Sequence, residues 1–369
     1  MNNVPYYGMV TANVGIIQLR DFTRNANREV KNALRDLKDK GADKIIIDLR
    51  GNPGGLLNEA INISNIFLEK GSVVVSTKGK IEDWNRTHKA LNHPEDTEIP
   101  IAVLVDGSSA SAAEIVSGVI QDYDRGVIIG QRSFGKGLVQ ATRSLSYNSK
   151  LKITVAKYYI PSGRCIQEID YSLRDAEGLA EKMPDSLRTT FTTQSGRKVY
   201  DGGGIMPDII TENDNYAPIT KSLIRKGLLF QYAAVYRHEH SEIAAPKEFQ
   251  FSDDDYDTFI SWLKDKDYDY QTKVEKTFEN LISSAKSDKY YEGIQSEIDA
   301  LQKKIHHSKE KDLVMFKDEI RERLEREIAT HFYLQKGQIE ASFDDDPEIL
   351  AAVEVLNNQE KYRKTLKGN

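Results

Sequence analysis

Three serines stand in a run of small residues where an apolar stretch ends and a helical pattern begins. Residues 105–115 read VDGSSASAAEI, directly after the apolar run 101–105. A serine at a strand-to-helix junction can expose its hydroxyl beside free backbone N–H groups, an arrangement suited to attack on a carbonyl. Ser108 or Ser109 could equally cap the helix by accepting from its first turn. This segment alone leaves both interpretations open.

A glycine-rich segment lies upstream of the serines. Residues 48–55 read DLRGNPGG and connect the β-rich stretch 44–49 to an amphipathic helical pattern near residues 57–68. Glycine permits φ > 0 and lets bare N–H groups approach a ligand, and a helix start adds unpaired donors. The segment therefore predicts either a cradle for an anion or oxyanion, or simply a tight turn between strand and helix.

A serine nucleophile needs a base, and histidines are scarce near these segments. Before His238 the chain has only His88 and His93, both in a polar stretch. A lysine can serve instead where burial lowers its pKa from about 10.4 toward about 7–8. Lys136 stands in FGKGLVQ, residues 134–140, whereas most lysines of this chain lie in charged company. Lys136 is therefore the candidate base.

In this order, residues 48–55, 107–115 and 134–140 resemble the core of the C-terminal processing peptidases, also called tail-specific proteases. Members of that family are serine endopeptidases with a Ser–Lys dyad, on a fold similar to the Clp protease and crotonase cores. The resemblance extends over roughly residues 5–210. It implies an α/β catalytic core of the Clp protease/crotonase type and proteins or peptides as substrates, cleaved near their C-termini.

The resemblance also implies a role for individual residues. It identifies Ser111 as the nucleophile and Lys136 as the general base, with Gln140 orienting the lysine. The backbone N–H groups of Gly55 and Ala112 match the family's oxyanion hole. Such an acyl-enzyme mechanism requires no metal and no organic cofactor.

Two acidic residues near the serines have two interpretations each. Asp122 matches an acidic position implicated in some family members, but it also fits a surface carboxylate at a helix end. Glu114 fits the family motif, but it could act only by stabilising the first helical turn through the helix dipole.

Length and composition limit what the chain can be. Chains longer than about 250–300 residues usually split into domains, so 369 residues predict two. A net charge of −6 argues against a nucleic-acid partner, which needs a basic surface. Cys165 is the only cysteine, which excludes an intrachain disulfide and a cysteine-based zinc site. No apolar stretch reaches the roughly 18–20 residues that a transmembrane helix needs.

The composition of the sequence and the spacing of its apolar residues change along the chain. Residues 1–160 alternate Ile/Val-rich runs with helical patterns, which indicates an α/β layout with parallel strands. After about residue 246 the sequence is densely charged, with apolar residues at helical spacing. We therefore predict an α/β peptidase core over residues 1–243 and a helical C-terminal domain over residues 244–369. The apolar stripes of the latter also suggest a homodimer.

The family usually carries an export signal, an N-terminal helical region and a PDZ domain ahead of the part that resembles this chain. No signal peptide and no such regions are visible here, so we expect a core without the family's usual front end. The family resemblance implies a periplasmic or cell-envelope location.

Two other functions remain open from the sequence. One is a catalytically inactive scaffold or binding version of the same core, lacking its PDZ domain. The other is a crotonase-like acyl-CoA enzyme, since that fold also uses paired backbone donors. The Ser111 and Lys136 pair argues against the acyl-CoA enzyme, as does the lack of a basic cluster for a nucleotide.

Overall fold

The computed structural model describes residues 2–174, 180–212, 216–305 and 309–368. Its contacts divide the chain into two compact units. The first unit spans Met1–Asn213 together with Asp346–Asn369, and the second spans Asp214–Asp345. We describe each unit by itself.

The strands all belong to the first unit. They are β1 (Tyr6–Met9), β2 (Val14–Gln18), β3 (Lys44–Asp48), β4 (Val73–Gly79), β5 (Arg86–Lys89), β6 (Ile101–Val105), β7 (Val127–Gly130), β8 (Leu138–Ser144), β9 (Lys150–Tyr159), β10 (Ile169–Arg174), β11 (Ala180–Lys182), β12 (Thr190–Thr192), β13 (Lys198–Tyr200) and β14 (Ile209–Ile210).

The helices belong to both units. They are α1 (Ala26–Asp39), α2 (Leu57–Phe67), α3 (Ala112–Asp122), α4 (Pro218–Arg225), α5 (Leu228–Glu239), α6 (Asp253–Leu263), α7 (Lys273–Ser287), α8 (Gln295–Ile305), α9 (Lys309–Met315), α10 (Lys317–Glu340), α11 (Pro347–Asn357) and α12 (Gln359–Lys367). None of those in the described ranges is long and apolar enough to cross a membrane.

A six-stranded sheet forms the centre of the first unit, in the order β1-β2-β3-β6-β7-β14. Strand β1 is antiparallel to β2, and the other neighbouring strands are parallel. The Ile/Val-rich runs of the sequence form these parallel strands, because continuous apolar runs suit strands that are covered on both faces. The predicted α/β class is confirmed.

Both faces of the central sheet are buried. Ile45 and Ile47 of β3 belong to the core cluster that α1, α2 and α3 also line. Ile46 lies between them and faces the other way, since side chains alternate along a strand, and it is also fully buried. Helix α11 contacts β3, β6 and β7, and its own apolar side chains are buried. We infer that α11 covers the second face.

A second, antiparallel sheet has the order β5-β4-β9-β8. Strand β8 begins two residues after Lys136, so this sheet carries the end of the lysine segment. Beyond it, residues 167–197, which the sequence predicts to be an irregular excursion, contain β10, β11 and β12. Strand β10 pairs with β11, and β12 pairs with β13, both antiparallel. Residues 175–179 of that excursion lie outside the described residues.

The second unit has an aromatic core of its own. Tyr232 of α5 packs edge-on against Phe259 of α6, with ring centroids 4.9 Å apart, and against Phe251. Helices α6 and α7 are capped by Ser252 and Thr272, whose hydroxyls accept from the N–H groups of the first turn. This helical unit agrees with the predicted helical C-terminal domain.

Two stretches belong to different units from those expected from the sequence. Helices α4 and α5 precede residue 243, yet they bury Ile219, Leu223 and Tyr232 in the helical core. Helices α11 and α12, after Asp345, belong with the sheet. Apolar spacing predicts that a helix has a buried face, but it does not indicate which of two cores receives that face.

Candidate active site

The glycine turn after β3 packs directly against the serine segment. Gly54 has φ +94°, and a Cβ there would lie 2.6 Å from the Ala110 carbonyl oxygen, 2.7 Å from the Ala112 nitrogen and 2.8 Å from Ser111 Cβ. A side chain at this position would therefore collide with the backbone that carries the candidate nucleophile. Only glycine combines this φ with this close approach.

Hydrogen bonds fix the glycine turn and the serine turn to each other. The Gly51 N–H donates to the Asp106 carboxylate, and the Ala110 N–H donates to the Asn52 carbonyl at 2.9 Å. The Ser109 hydroxyl is fully buried and donates to the Leu49 carbonyl at 2.8 Å. The turns that follow β3 and β6 thus form one structural block, because adjacent parallel strands bring their carboxyl ends together.

Ser111 occupies the N-cap position of α3 with φ 56° and ψ −112°. A non-glycine residue in such a conformation costs on the order of 1–3 kcal/mol, and residues of this kind cluster at functional sites. The side chain is only partly buried. A strained serine on a strand-to-helix turn exposes its hydroxyl in the manner of a nucleophile elbow. Neither Ser108 nor Ser109 is the cap of α3.

Glu114 joins the serine segment to the lysine segment. Its Oε2 accepts from the N–H groups of Ser111 and Lys136, both at 2.8 Å. Its Oε1 accepts from the Ser133 hydroxyl at 2.6 Å and from the Gly135 N–H at 2.7 Å. The carboxylate therefore holds both candidate segments in one place.

The buried position of Glu114 has an electrostatic consequence. The side chain is fully buried, and burial raises the pKa of its carboxyl, although the four hydrogen bonds it accepts oppose this effect. The interpretation of Glu114 as only a partner of the helix dipole is therefore incomplete, because three of its four donors lie outside α3 and its cap.

Tyr158 of β9 contacts the lysine segment, and the sequence analysis did not single it out. Its hydroxyl donates to the Lys136 carbonyl. A tyrosine in an alternating strand pattern is typical of a core residue, so the only available signal was that Tyr158 lies within the stretch that resembles the family.

The N–H groups of Gly55 and Ala112, which the resemblance assigns to the oxyanion hole, lie where the glycine turn meets the serine turn. Gly55 pairs with Phe22 in a parallel bridge that uses the Gly54 carbonyl and the Leu56 N–H. The Gly55 N–H therefore points away from Phe22, as the geometry of a parallel ladder requires. Within the described part of the chain, no acceptor is found for the N–H of Gly55 or of Ala112.

Lys136 lies on the loop between β7 and β8 and is partly buried. No carboxylate of the described ranges forms an ion pair with its Nζ. Gln140 lies on β8, opposite Thr154 of β9, and is exposed. In the described residues its side chain makes no hydrogen bond, so the structure does not join Gln140 to the lysine.

Asp122 is not part of the site. It ends α3, a helix of 11 residues, which places it about 16 Å along the axis from Ser111. Its carboxylate is buried, pairs with Arg164 at 2.9 Å and accepts from the Ser162 N–H. The interpretation as a surface carboxylate is wrong, because the partner Arg164 is itself only 1% exposed. Asp122 forms a buried ion pair within the core.

The described residues contain no group of three or more His, Cys, Asp or Glu side chains that could hold a metal ion. Instead, the arrangement offers a strained serine hydroxyl, a lysine without a counter-ion and two backbone N–H groups without acceptors. These are the components of an acyl-transfer site.

The fold is that of a Clp protease/crotonase-like core accompanied by a helical domain. Residues 13–173 match the model of peptidase family S41, and residues 219–356 match the model described as the C-terminal helical domain of a probable PDZ-protease. Over residues 13–173, the α/β part of this chain is therefore similar to peptidase family S41.

Curated relatives share the α/β part. A carboxy-terminal-processing protease from Bartonella bacilliformis is 43% identical over 164 residues, which is 43% of this chain and 38% of that protein. A carboxyl-terminal-processing protease from Synechocystis sp. is 40% identical over 158 residues, or 42% of this chain and 36% of that protein. The matched part thus spans well under half the length of these relatives.

Among solved structures, a photosystem II D1 C-terminal processing protease is similar. Its sequence is 26% identical, with a TM-score of 0.41, over 54% of this chain and 42% of that one.

Proposed function

We propose that the chain is a serine endopeptidase that cleaves polypeptides near their C-termini, with Ser111 as the nucleophile and Lys136 as the general base. The observation that carries the proposal is the Glu114 carboxylate, whose Oε2 accepts from the N–H groups of both Ser111 and Lys136. Cleavage near the C-terminus is supported by the names of the two curated relatives.

The proposed reaction proceeds through an acyl-enzyme. Lys136, in the unprotonated form that a general base requires, takes the proton of the Ser111 hydroxyl while the serine oxygen attacks the scissile carbonyl carbon. The N–H groups of Gly55 and Ala112 donate to the resulting oxyanion, and one such donor is typically worth about 2.7–4 kcal/mol in the barrier. Lys136 then gives its proton to the leaving amine, and water repeats the sequence on the ester.

Gln140 is proposed to orient Lys136 in the complex with substrate. Its side chain is exposed and without a hydrogen bond in the described residues, so it is free to turn toward the lysine. Hydrogen bonds of this kind often form only in the Michaelis complex.

The test is cleavage of casein, an unfolded substrate, by the parent chain beside Ser111→Ala and Lys136→Ala. We expect cleavage by the parent and a loss of at least about a thousandfold in each variant. The matched controls are Ser108→Ala, an exposed serine of the same turn, and Lys152→Ala, an exposed lysine of β9. Both controls should cleave at the parental rate. Cleavage by Ser111→Ala at the parental rate would falsify the proposed nucleophile.

A periplasmic or cell-envelope location and a homodimer through the apolar stripes of the helical unit are also proposed. Light scattering over micromolar concentrations tests the dimer, and a monomeric mass throughout contradicts it.

A further inference from the structure

The side chain of Asn52 lies inside the glycine turn and is fully buried. Its Oδ1 accepts from the Gly54 N–H at 2.8 Å, and its Nδ2 donates to the Leu19 carbonyl at 2.7 Å. Leu19 directly follows β2, so the amide joins the turn to the central sheet. The Asn52 carbonyl also accepts from the Ala110 N–H, which ties the same residue to the serine turn.

The two bonds of the side chain fix the orientation of its amide, because the Gly54 N–H can only donate and the Leu19 carbonyl can only accept. An aspartate of the same shape would set a second acceptor against the Leu19 carbonyl. A leucine would leave both backbone groups buried without a partner, which is costly. The position therefore selects asparagine.

The backbone of the two glycines in this turn is held by hydrogen bonds, since neither residue has a side chain to hold it. Gly54 has φ +94° and Gly55 has φ +156°, a range that only glycine samples freely. The Gly54 carbonyl accepts from the Phe22 N–H at 3.3 Å, which is long for such a bond. The shorter bond from the Gly54 N–H to Asn52 is therefore the firmer constraint on this residue.

The direction of the Gly55 N–H follows from the backbone of Gly54. Because a peptide unit is planar and trans, the Gly55 N–H points opposite to the Gly54 carbonyl. Asn52 holds the N–H of Gly54, and Phe22 holds its carbonyl, so the two bonds together set φ and ψ of that residue.

We propose that Asn52 is a positioning residue of the oxyanion hole, whose side-chain amide sets the direction of the Gly55 N–H without contacting the substrate. The inference rests on the proposed peptidase function, in which this N–H donates to the oxyanion.

The first test compares Asn52→Ala with Asn65→Ala. Asn65 is a matched control, because it is a buried asparagine of α2, 3% exposed, whose Nδ2 and Oδ1 both bond the Asn92 backbone. Both substitutions leave buried backbone groups without their partner, so we expect similar losses in the midpoint of urea unfolding.

Only Asn52→Ala should impair catalysis. We expect kcat on casein to fall about 10- to 100-fold with KM within about twofold, because the oxyanion is absent from the bound substrate and forms only during the reaction. A kcat loss no larger than that of Asn65→Ala overturns the inference.

Asn52→Ser isolates the bond to Gly54. A serine hydroxyl can accept from the N–H two residues further on, more weakly than an asparagine side chain does. We therefore expect its kcat to lie between those of the parent and Asn52→Ala, and a value no higher than that of Asn52→Ala contradicts the inference. Should Asn52→Ala fail to fold, Asn52→Ser beside Asn65→Ser makes the same comparison.

The last test needs no activity. Crystal structures of the parent and both alanine variants should show the peptide unit between Gly54 and Gly55 turned from its parental direction in Asn52→Ala alone. An unchanged peptide unit in Asn52→Ala overturns the inference. Failure of the parent to cleave casein would count against the peptidase proposal, and the direction of this peptide unit would still decide the role of Asn52.

Discussion

The backbone of Ser111 is held in a conformation that it would not adopt alone. Its left-handed φ persists because Glu114 accepts its N–H and because Gly54 packs against its Cβ. A strained backbone of this kind persists only where neighbouring groups hold it in place, and here those groups are the buried Glu114 carboxylate and Gly54. Substitution of each residue tests its contribution.

Glu114→Gln should impair both stability and activity. Whichever way the amide is turned, its NH₂ group faces two donors that the carboxylate oxygen accepted. We expect the free energy of unfolding to fall by about 1–3 kcal/mol, and kcat to fall about 100-fold as Ser111 and Lys136 separate. Urea unfolding and casein cleavage measure the two effects. The exposed Glu69→Gln is the control, and equal behaviour of both variants would contradict the role of Glu114.

Gly54→Ala should be more damaging than a glycine substitution at the same backbone angle elsewhere. Gly71 has φ +97° and no atom within 4 Å of a Cβ, so Gly71→Ala isolates the cost of the angle, about 1–2 kcal/mol. Gly54→Ala adds the collision with Ser111 and its neighbours. We expect a larger loss of unfolding free energy and at least about a 100-fold loss of kcat for Gly54→Ala alone. Parental activity of Gly54→Ala would show that the turn does not support the serine.

At the scale of elements, an ionic junction connects the glycine turn to α11. The Arg50 guanidinium donates to Asp48 at the end of β3, and also to Asp346 and Glu348 at the start of α11. Burial opposes ionisation of Asp48, but Arg50 outweighs this and lowers the pKa of the Asp48 carboxyl. Asp346 caps α11, and Pro347 occupies its first turn, where the fixed φ of proline suits a helix start.

Arg50→Ala should destabilise the first unit strongly. Its removal leaves the Asp48 carboxylate, only 3% exposed, without its counter-charge, and breaking a buried pair typically costs about 3–5 kcal/mol. Thermal and urea unfolding measure the loss. Arg35→Ala is the control, because the Arg35–Glu95 pair lies at the surface with the arginine side chain 56% exposed, and such pairs are worth about 0–1 kcal/mol. Equal losses in the two variants would refute a structural role of the junction.

At the scale of the whole molecule, the C-terminal residues complete the first unit after the chain has built the second. Ile349, Ala352, Val355 and Leu356 of α11 are buried, and α11 contacts three strands of the central sheet. By contrast, α12 has no buried residue, although the Tyr362 hydroxyl accepts from the Ile101 N–H at 3.0 Å.

A chain ending at Asp345 should therefore lose most of the stability of its α/β unit. Each large apolar side chain of α11 contributes about 1.5–3 kcal/mol by burial, and the total is comparable to the stability of a typical domain. A chain ending at Asn358 keeps α11 and should lose much less. Calorimetry of both truncations checks this order, and equal transitions in the two would contradict it.

The sequence by itself determined the parallel strands, the helices between them and three motifs with a candidate nucleophile and base. Continuous Ile/Val runs and glycine turns have local causes, so β3, β6 and the turn at residues 51–55 could be read from neighbouring residues. Ser111 and Lys136 were found through motif order, while Gln140 stays a prediction.

Only the tertiary structure decided how the motifs meet. Glu114 and Tyr158 act through bonds to residues far away in the chain, and no local pattern distinguishes such a carboxylate from a helix cap or such a tyrosine from a core residue. The same holds for α11, whose apolar face fits either core by its spacing alone. Its place on the sheet depends on the complementary surface and on the charges of Asp48 and Arg50, which are contributed by a distant part of the sequence.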